Sequence, residues 1–286
     1  MQGAHAPAAP PGLRCGRFLL PLTRPLIMGV VNITPDSFSD GGRFLDPVAA
    51  AEHANRLAEE GADILDLGAE STRPGAAPVS AEAEAARVLP VLDAVRGLSL
   101  PISVDTRKPE TMRAALSHGA SMINDVDALR APGALDAVRG SGCGLCLMHK
   151  QGEPQTMQVA PAYTDVMREV KEFLAQRVAA CVASGIDRER LTIDPGFGFG
   201  KTAEHNLELL RRLAELAQLG VPVLAGLSRK TTLGEMTGRA PGDRLAASVA
   251  AALLAVQRGA AIVRVHDVAA TRDALLVLSA LQGAEL

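Results

Sequence analysis

Residues 191–201 read Leu-Thr-Ile-Asp-Pro-Gly-Phe-Gly-Phe-Gly-Lys. The apolar start is long enough for a buried strand, and the strand must end at Asp194 because a proline and alternating glycines follow it. A carboxylate at the mouth of a buried strand is costly unless a partner compensates for it. Phe197 and Phe199 lie in the loop beyond, and rings beside an acid indicate a site for a flat heterocycle with polar edges.

The glycines of this stretch do not form a nucleotide-binding motif. The segment ends like a P-loop, but Pro195 stands where that motif requires its first glycine. The spacing of Gly196, Gly198 and Gly200 also fails the dinucleotide fingerprint. A flexible turn ahead of a helix that starts near Thr202 is the other interpretation, and the stretch alone leaves it open.

Composition limits the class of protein. The chain has 286 residues, of which 48% are hydrophobic and 21% charged, as in a soluble globular protein with a sizeable core. A net charge of −3 without a basic block argues against a nucleic-acid partner, and the longest apolar run, 249–256, is too short to span a membrane. We expect residues 1–24 to be a flexible, Ala/Pro-rich tail and lead-in without a secretory signal, and residues 25–286 to form one domain.

The four cysteines show no disulfide framework, which indicates a reducing compartment, the cytoplasm. Cys143 and Cys146 form a C-x-x-C at the start of a predicted strand, without a second pair to complete a zinc site. We therefore favour buried core cysteines over a redox or metal pair.

Aromatic residues are scarce and unevenly distributed. The sequence has no tryptophan, one tyrosine and six phenylalanines. Four of the phenylalanines fall in two glycine-rich loops: Phe38, Phe44, Phe197 and Phe199. Since large rings are usually placed in the core, this distribution favours stacking on a ligand.

Eight apolar segments alternate with segments of helical periodicity. The predicted strands cover residues 26–33, 62–68, 101–105, 121–124, 144–149, 191–194, 221–228 and 261–267. The predicted helices cover residues 48–60, 80–96, 109–118, 132–139, 163–184, 203–218, 243–258 and 270–281. Continuous apolar strands of this kind are typical of parallel sheets covered on both faces. The pattern predicts an α/β protein, a (β/α)8 TIM barrel, with an open doubly wound sheet as the alternative.

A barrel places its active site at the carboxyl ends of its strands, and here those ends are polar. They carry Asn32, Thr72, Arg73, Asp105, Asn124, His149, Asp194, Ser228, Lys230, Arg264 and His266. The turns that enter the strands, by contrast, look like ordinary helix ends. This asymmetry indicates an enzyme.

The residue types on this rim suggest two kinds of recognition. Cations follow the last two strands, where barrels commonly bind phosphate. Asp105, Asn124 and Asp194 supply carboxylate and amide groups that match the N–H edge of a guanine or pterin, although general acid/base catalysis is a competing role. No zinc motif occurs, so any metal is expected to be Mg²⁺ held partly by a substrate phosphate.

Eight motifs follow one another between residues 25 and 281: IMGVVNITPDSFSDGGRF, DLGAESTRPGA, ISVDTRKPE, INDV, LMHKQGEPQTM, DPGFGFGK, LSRK and RVHDV. In these motifs and in their order the chain resembles the dihydropteroate synthase family. The resemblance implies condensation of 6-hydroxymethyl-7,8-dihydropterin pyrophosphate with 4-aminobenzoate, with Mg²⁺ as cofactor, these small molecules as the partners, and a homodimer in which residues 246–256 could form the interface.

The resemblance also implies a role for each matching residue. Catalysis would rest on Lys230, Arg264, His266 and Asp105. The pterin would be held by Asp105, Asn124, Asp194 and Lys230, and the pyrophosphate by Asn32, Arg264 and His266, with Asn32 also a ligand of Mg²⁺. The aminobenzoate site and its loops would include Thr72, Arg73, Pro74, Phe38, Phe199 and Ser228. Loops 34–43 and 70–78, rich in Gly, Ser and Pro, are expected to be mobile lids.

Two rivals and one departure from the family pattern accompany this resemblance. A pterin-binding methyltransferase of the methyltetrahydrofolate type shares the fold and the ring-binding acids, but TPDSF and STRPG favour the synthase. A non-catalytic pterin-binding scaffold is harder to reconcile with the phosphate-binding cations. Lys150 stands where the family often has methionine, so an extra charge is expected near the pterin wall.

Overall fold

The computed structural model describes residues 12–33, 46–70, 78–152 and 156–283. The strands are β1 (Gly12–Cys15), β2 (Phe18–Pro21), β3 (Leu26–Asn32), β4 (Ile64–Gly68), β5 (Ile102–Asp105), β6 (Met122–Asp125), β7 (Gly144–Met148), β8 (Leu191–Asp194), β9 (Leu224–Ala225) and β10 (Ile262–Val265). The helices are α1 (Pro47–Glu59), α2 (Ala81–Val95), α3 (Pro109–Ser117), α4 (Ala134–Val138), α5 (Val166–Ala183), α6 (Ala203–Arg211), α7 (Ala214–Ala217), α8 (Thr231–Thr237), α9 (Leu245–Gln257) and α10 (Val268–Gln282).

Strands β3 to β10 form one parallel sheet that closes into a barrel. Its strand order is β8-β7-β6-β5-β4-β3-β10-β9. The two ends meet through a parallel bridge between Ile193 and Val223, where the Ile193 N–H donates to the Pro222 carbonyl at 3.0 Å. The predicted (β/α)8 barrel is therefore confirmed, and the open sheet considered as its alternative is not formed.

Side chains alternate between the two faces of each barrel strand. Those that point outward pack against the helices in one large core, as Ile27, Leu65, Val104 and Ile193 do. The inward-pointing side chains near the amino-terminal ends of the strands, called the lower end of the barrel below, form a second apolar cluster: Leu26, Met28, Ile64, Met122, Cys146, Leu224 and Ile262. Higher in the same barrel the inward positions become polar, and this change of chemistry marks the site.

The hairpin β1–β2 closes the lower end of the barrel and was not predicted from the sequence. Leu13 and Cys15 are fully buried in the lower cluster, although residues 1–24 were expected to be a flexible tail and lead-in. Gly144 makes this seating possible, because a Cβ there would lie 2.6 Å from the sulfur of Cys15. Four residues per strand give too short a pattern to be read as a hairpin.

Local signals at the helix ends agree with the predicted helices. Ser80 caps α2 by accepting from the Ala83 N–H, and Thr202 caps α6 with a capping box. The predicted helix 203–218 is interrupted and forms α6 and α7, and α8 was not predicted. Among the residues described, no helix combines the length and apolar character needed to cross a membrane.

All four cysteines are free and buried, in agreement with the predicted core placement. Burial raises the pKa of Cys15 to about 12 and that of Cys181 to about 11. Since the thiolate is the reactive form, these cysteines are poor candidates for redox or metal chemistry.

We expect Leu13→Ala to destabilise the protein, because it opens a cavity in the apolar cluster that the hairpin β1–β2 closes. The loss of unfolding free energy should be about 2–5 kcal/mol, measured by chemical denaturation. Leu19→Ala is the matched control, since Leu19 lies on the same hairpin but is 60% exposed. An equal effect of the two substitutions would show that the hairpin does not seal the core.

Candidate functional site

Five inward-facing residues from five strands form the polar upper layer of the barrel. They are Asp66 on β4, Asp105 on β5, Asn124 on β6, Asp194 on β8 and Arg264 on β10. All but Asp66 were predicted from the sequence as rim residues. The pairing register aligns Gly68, Asp105 and Asn124 across β4, β5 and β6, so these strand ends lie at one level.

Arg264 connects two of these carboxylates. Its Nε donates to Asp66 Oδ2 at 2.6 Å, and its Nη2 donates to Asp105 Oδ2 at 3.1 Å. Burial works against the charge of Arg264, but Asp66 and Asp105 still hold its pKa above the usual value. The guanidinium is therefore always charged and fixed in direction, with N–H groups to spare for an anionic ligand.

Asn124 has a committed donor and an uncommitted acceptor. Its Nδ2 donates to Asp66 Oδ2 at 3.0 Å, whereas Oδ1 is buried and has no hydrogen-bond partner among the described residues. A buried carbonyl without a donor is uncommon in folded proteins. Asn124 is therefore suited to accept a hydrogen bond from a ligand N–H.

The carboxylates that face the open end of the barrel lie in surroundings that disfavour their ionised form. Burial and the neighbouring charge of Asp66 raise the pKa of Asp105 to about 7. Burial also raises the pKa of Asp194, although its Oδ1 accepts from the Gly196 N–H at 2.7 Å. A ligand that donates N–H groups to such carboxylates replaces the water they have lost.

Lys230 and Phe199 form the wall next to Asp194. The Lys230 ammonium lies 4.1 Å from the centroid of the Phe199 ring, which is half-buried. Burial lowers the pKa of Lys230 to about 8. The prediction that Phe197 also stacks on a ligand is wrong, since Phe197 is 1% exposed and belongs to the main core.

Lys201 organises the glycine loop, a role that sequence reasoning missed. Its buried ammonium donates to the carbonyls of Gly196 and Phe199, both at 3.0 Å, and contacts His149 Nδ1 at 3.0 Å. Gly196 has a φ of +67°, and a Cβ there would lie 1.9 Å from the His149 carbonyl oxygen. The loop is therefore held by hydrogen bonds to a buried lysine, which argues against the flexible-turn interpretation.

His149 stands on the rim but does not face the polar layer. It is 7% exposed, packs edge-on against Phe173 at 5.0 Å between ring centroids, and contacts Lys201 through Nδ1. Burial and the charge of Lys201 lower its pKa to about 2, so the ring is neutral. We assign it a structural role in holding Lys201.

His266 and Ser228 form a pair beside Arg264. Ser228 Oγ lies 3.0 Å from His266 Nδ1 and accepts from the His266 backbone N–H at 3.3 Å. Because burial and the charge of Arg264 lower the pKa of His266 to about 3, the ring is neutral. In the tautomer where the Ser228 hydroxyl donates to Nδ1, the neutral ring carries its proton on Nε2 and can donate it to an anion.

Lys150 is ion-paired with Asp127. Its ammonium lies 2.9 Å from Asp127 Oδ1, and its side chain is 1% exposed. Arg107 also reaches Asp127, at 3.7 Å. Lys150 is therefore held by an ion pair in the loop after β6, on a carboxylate that Arg130 also contacts, at 3.4 Å.

Asn32 was predicted as the protein ligand of Mg²⁺ and ends β3 near the polar layer. Its Oδ1 would lie 3.9 Å from a Cβ placed on Gly68. Gly68 pairs with Asn32 on one side and with Asp105 on the other, so the three residues end neighbouring strands. Within the described residues no group of three His, Cys, Asp or Glu side chains could hold a metal. One amide oxygen fits a Mg²⁺ ion that takes its other ligands from phosphate and water, and does not fit an all-protein cage.

Several predicted residues lie outside the described part of the chain. They are Phe38 with loop 34–43, and Thr72, Arg73 and Pro74 of loop 70–78. The described ends of the second loop are tied together, since Glu70 Oε1 accepts from the Val79 N–H at 3.2 Å.

The protein is a barrel enzyme with acids, an amide and cations at the carboxyl ends of its strands. Such a site is suited to a ligand with a flat polar ring and an anionic group. The chain belongs to the family described as pterin binding enzyme, whose model matches residues 28–266. It is 54% identical over 275 residues to the dihydropteroate synthase of Neisseria meningitidis serogroup B, covering 94% of this chain and 96% of that protein.

Solved structures show the same similarity. The chain matches Xanthomonas albilineans dihydropteroate synthase with 4-aminobenzoic acid at a TM-score of 0.90 and 57% identity, covering 96% of this chain and 99% of that one. It matches the same enzyme in complex with 7,8-dihydropteroate at a TM-score of 0.87 and 55% identity, covering 96% and 100%. The predicted family resemblance is confirmed.

We expect Lys201→Met to destabilise the glycine loop. It leaves the Phe199 carbonyl and His149 Nδ1 without a donor, whereas the Gly196 carbonyl keeps the Phe199 N–H at 3.1 Å. Each buried group without a partner costs about 1–3 kcal/mol, so the free energy of unfolding should fall by about 2 kcal/mol or more. The control is Lys171→Met, because Lys171 forms an exposed hydrogen bond to Gln218 Oε1 at 2.6 Å. Chemical denaturation of both variants measures the difference, and equal losses would contradict the role of Lys201.

Proposed function

We propose that this protein is a dihydropteroate synthase that joins 6-hydroxymethyl-7,8-dihydropterin pyrophosphate to 4-aminobenzoate and releases pyrophosphate. The observation that carries the proposal is the polar layer of Asp105, Asn124 and Asp194 next to Arg264 and Lys230, in which Asn124 and Asp194 are buried. Relatives at half identity are dihydropteroate synthases, which supports this function over the methyltransferase alternative.

The pterin ring is recognised by complementary hydrogen bonding. Asp105 and Asp194 are acceptors once ionised, and the carbonyl of Asn124 is a further acceptor. The amino and ring N–H groups of the pterin are donors, so ring and site match in polarity. Lys230 and Phe199 lie beside Asp194 and would cover the ring on that side.

The pyrophosphate is bound by donors that are already in position. Arg264 supplies a permanent charge, and His266 supplies a neutral N–H held by Ser228. Asn32 would be the protein ligand of Mg²⁺, which neutralises phosphate charge when bound. Donors fixed before the reaction do not need to reorganise as charge builds on the leaving group.

In the reaction the bond between the pterin methylene carbon and the pyrophosphate oxygen breaks, and pyrophosphate leaves with the electron pair. A bond forms between that carbon and the nitrogen of 4-aminobenzoate, which then loses a proton. The arylamine is neutral at pH 7, so it needs positioning more than activation. Phe199 and Ser228, with Thr72, Arg73, Pro74 and Phe38, are the residues proposed for that positioning.

We further propose that the protein works in the cytoplasm as a homodimer. The free, buried cysteines are consistent with a reducing compartment. Helices α9 and α10 expose a group of apolar side chains, which supports an interface there: Leu245, Leu254, Leu276, Val277 and Leu281.

The function is tested by mixing the pure protein with the dihydropterin pyrophosphate, 4-aminobenzoate and Mg²⁺ and following pyrophosphate release. We expect release that requires the amine, forms dihydropteroate and stops in EDTA. Arg264→Ala should raise the barrier in kcat/KM by about 3 kcal/mol, whereas Arg211→Ala, at an exposed position of α6, should have no effect. Pterin binding without release would instead favour the scaffold or the methyltransferase.

The homodimer is tested by light scattering coupled to size-exclusion chromatography. We expect twice the chain mass of 29.7 kDa, and dissociation in Val277→Glu, because Val277 is 72% exposed on α10. Val182→Glu on α5 is the matched control, since Val182 is 40% exposed away from α9 and α10. A monomeric wild-type protein would contradict the proposed homodimer.

A further inference from the structure

Asp66 occupies an unusual position inside the barrel. It lies in the interior of β4 and is 0% exposed. Its Oδ2 accepts hydrogen bonds from Arg264 on β10 and from Asn124 on β6. In the strand order β6-β5-β4-β3-β10 these donors come from strands two places away on either side. One carboxylate oxygen therefore connects three strands that are not neighbours.

This contact decides which way the amide of Asn124 points. An ionised carboxylate only accepts hydrogen bonds, so the Asn124 group that faces it must be the NH₂. The opposite orientation would place the carbonyl oxygen against Asp66 and leave two acceptors facing each other. With the NH₂ on Asp66, Oδ1 is the group of Asn124 that remains for a ligand, and it is buried without a partner in the described structure.

The same contact decides the direction of the Arg264 guanidinium. Asp66 takes the Nε–H at 2.6 Å and Asp105 takes an Nη2–H at 3.1 Å, which fixes the plane of the fork. The other N–H groups of the fork then have a defined direction. If the charge of Asp66 is removed, the guanidinium of Arg264 is no longer held in this direction, even in a variant that still folds.

We propose that Asp66 is a positioning residue for the pterin substrate. It holds Asn124 as an acceptor toward the pterin N–H groups and aims Arg264 at the anionic part of the substrate. This inference rests on the proposed function for its kinetic consequences, but the orientation of Asn124 can be tested by binding alone.

The central experiment compares Asp66→Asn with Asp63→Asn. An asparagine at position 66 keeps the size of the side chain but removes the charge, and it can turn its own NH₂ toward Asn124. Asp63 is the matched control, because it also pairs with an arginine, Arg24 at 2.6 Å, but it precedes β4 at the other end of the barrel. We expect Asp66→Asn to raise the Kd and the KM for the pterin substrate about tenfold or more, with the KM for 4-aminobenzoate and the values for Asp63→Asn unchanged.

The pH profile separates positioning from a general structural effect. Asp105 faces Asp66, Glu84, Asp125, Arg264 and Lys230, and burial with the charge of Asp66 raises its pKa to about 7. Removing the charge of Asp66 lowers that pKa. The loss of kcat/KM on acidification should therefore begin at a lower pH in Asp66→Asn, whereas a change in stability alone would leave it in place.

A double-mutant cycle tests whether Asp66 acts through Asn124. Asp66→Asn should cost less pterin affinity in an Asn124→Ala background than in the wild-type protein. Additive losses, or wild-type pterin affinity in Asp66→Asn, would overturn the proposal.

A neutron structure of the wild-type protein with a bound pterin keeps the proposal testable if the variant does not fold. It should show the Asn124 NH₂ on Asp66 and Oδ1 on a pterin N–H, and the reverse orientation would refute it. A wild-type protein that binds pterin without releasing pyrophosphate would refute the proposed function and leave this test intact.

Discussion

One guanidinium shared by the carboxylates of Asp66 and Asp105 is the interaction on which the upper half of the barrel depends. Arg264 pairs with Asp66, which is fully buried, and with Asp105, which is partly buried. Buried charges of this kind are tolerated only when partners compensate for them. Three side chains from β4, β5 and β10 must therefore keep their mutual geometry, which constrains the strands that carry them and leaves the polar layer prepared for a ligand.

The barrel separates stability from chemistry along its axis. At the lower end the interior is apolar and is closed by the hairpin β1–β2, with Leu13 and Cys15 fully buried. At the upper end the inward positions are acids, an amide and cations. The lower cluster offsets the cost of holding unpaired polar atoms, such as Asn124 Oδ1, away from water.

The glycine loop shows how a buried lysine can order a segment of unusual composition. Lys201 binds carbonyls of the loop, and Asn206 accepts from the Gly198 N–H at 2.8 Å while its Nδ2 donates to Thr232. The loop is thus fixed to α6 and to α8. Within this loop the ring of Phe199 lies 4.1 Å from the Lys230 ammonium.

The sequence by itself determined the number and order of the βα units, and hence the barrel, because apolar strand runs and helix caps are local signals. It also determined which strand ends carry Asp105, Asn124, Asp194 and Arg264, since those residues directly follow or end the apolar runs. Tertiary structure alone decided the partners. Asp66 looked like one polar residue within a strand, Lys201 like the end of a failed P-loop, and Phe197 like a ligand-facing ring. Each took its role from contacts with residues distant in the chain, and such contacts leave no periodic trace in the sequence.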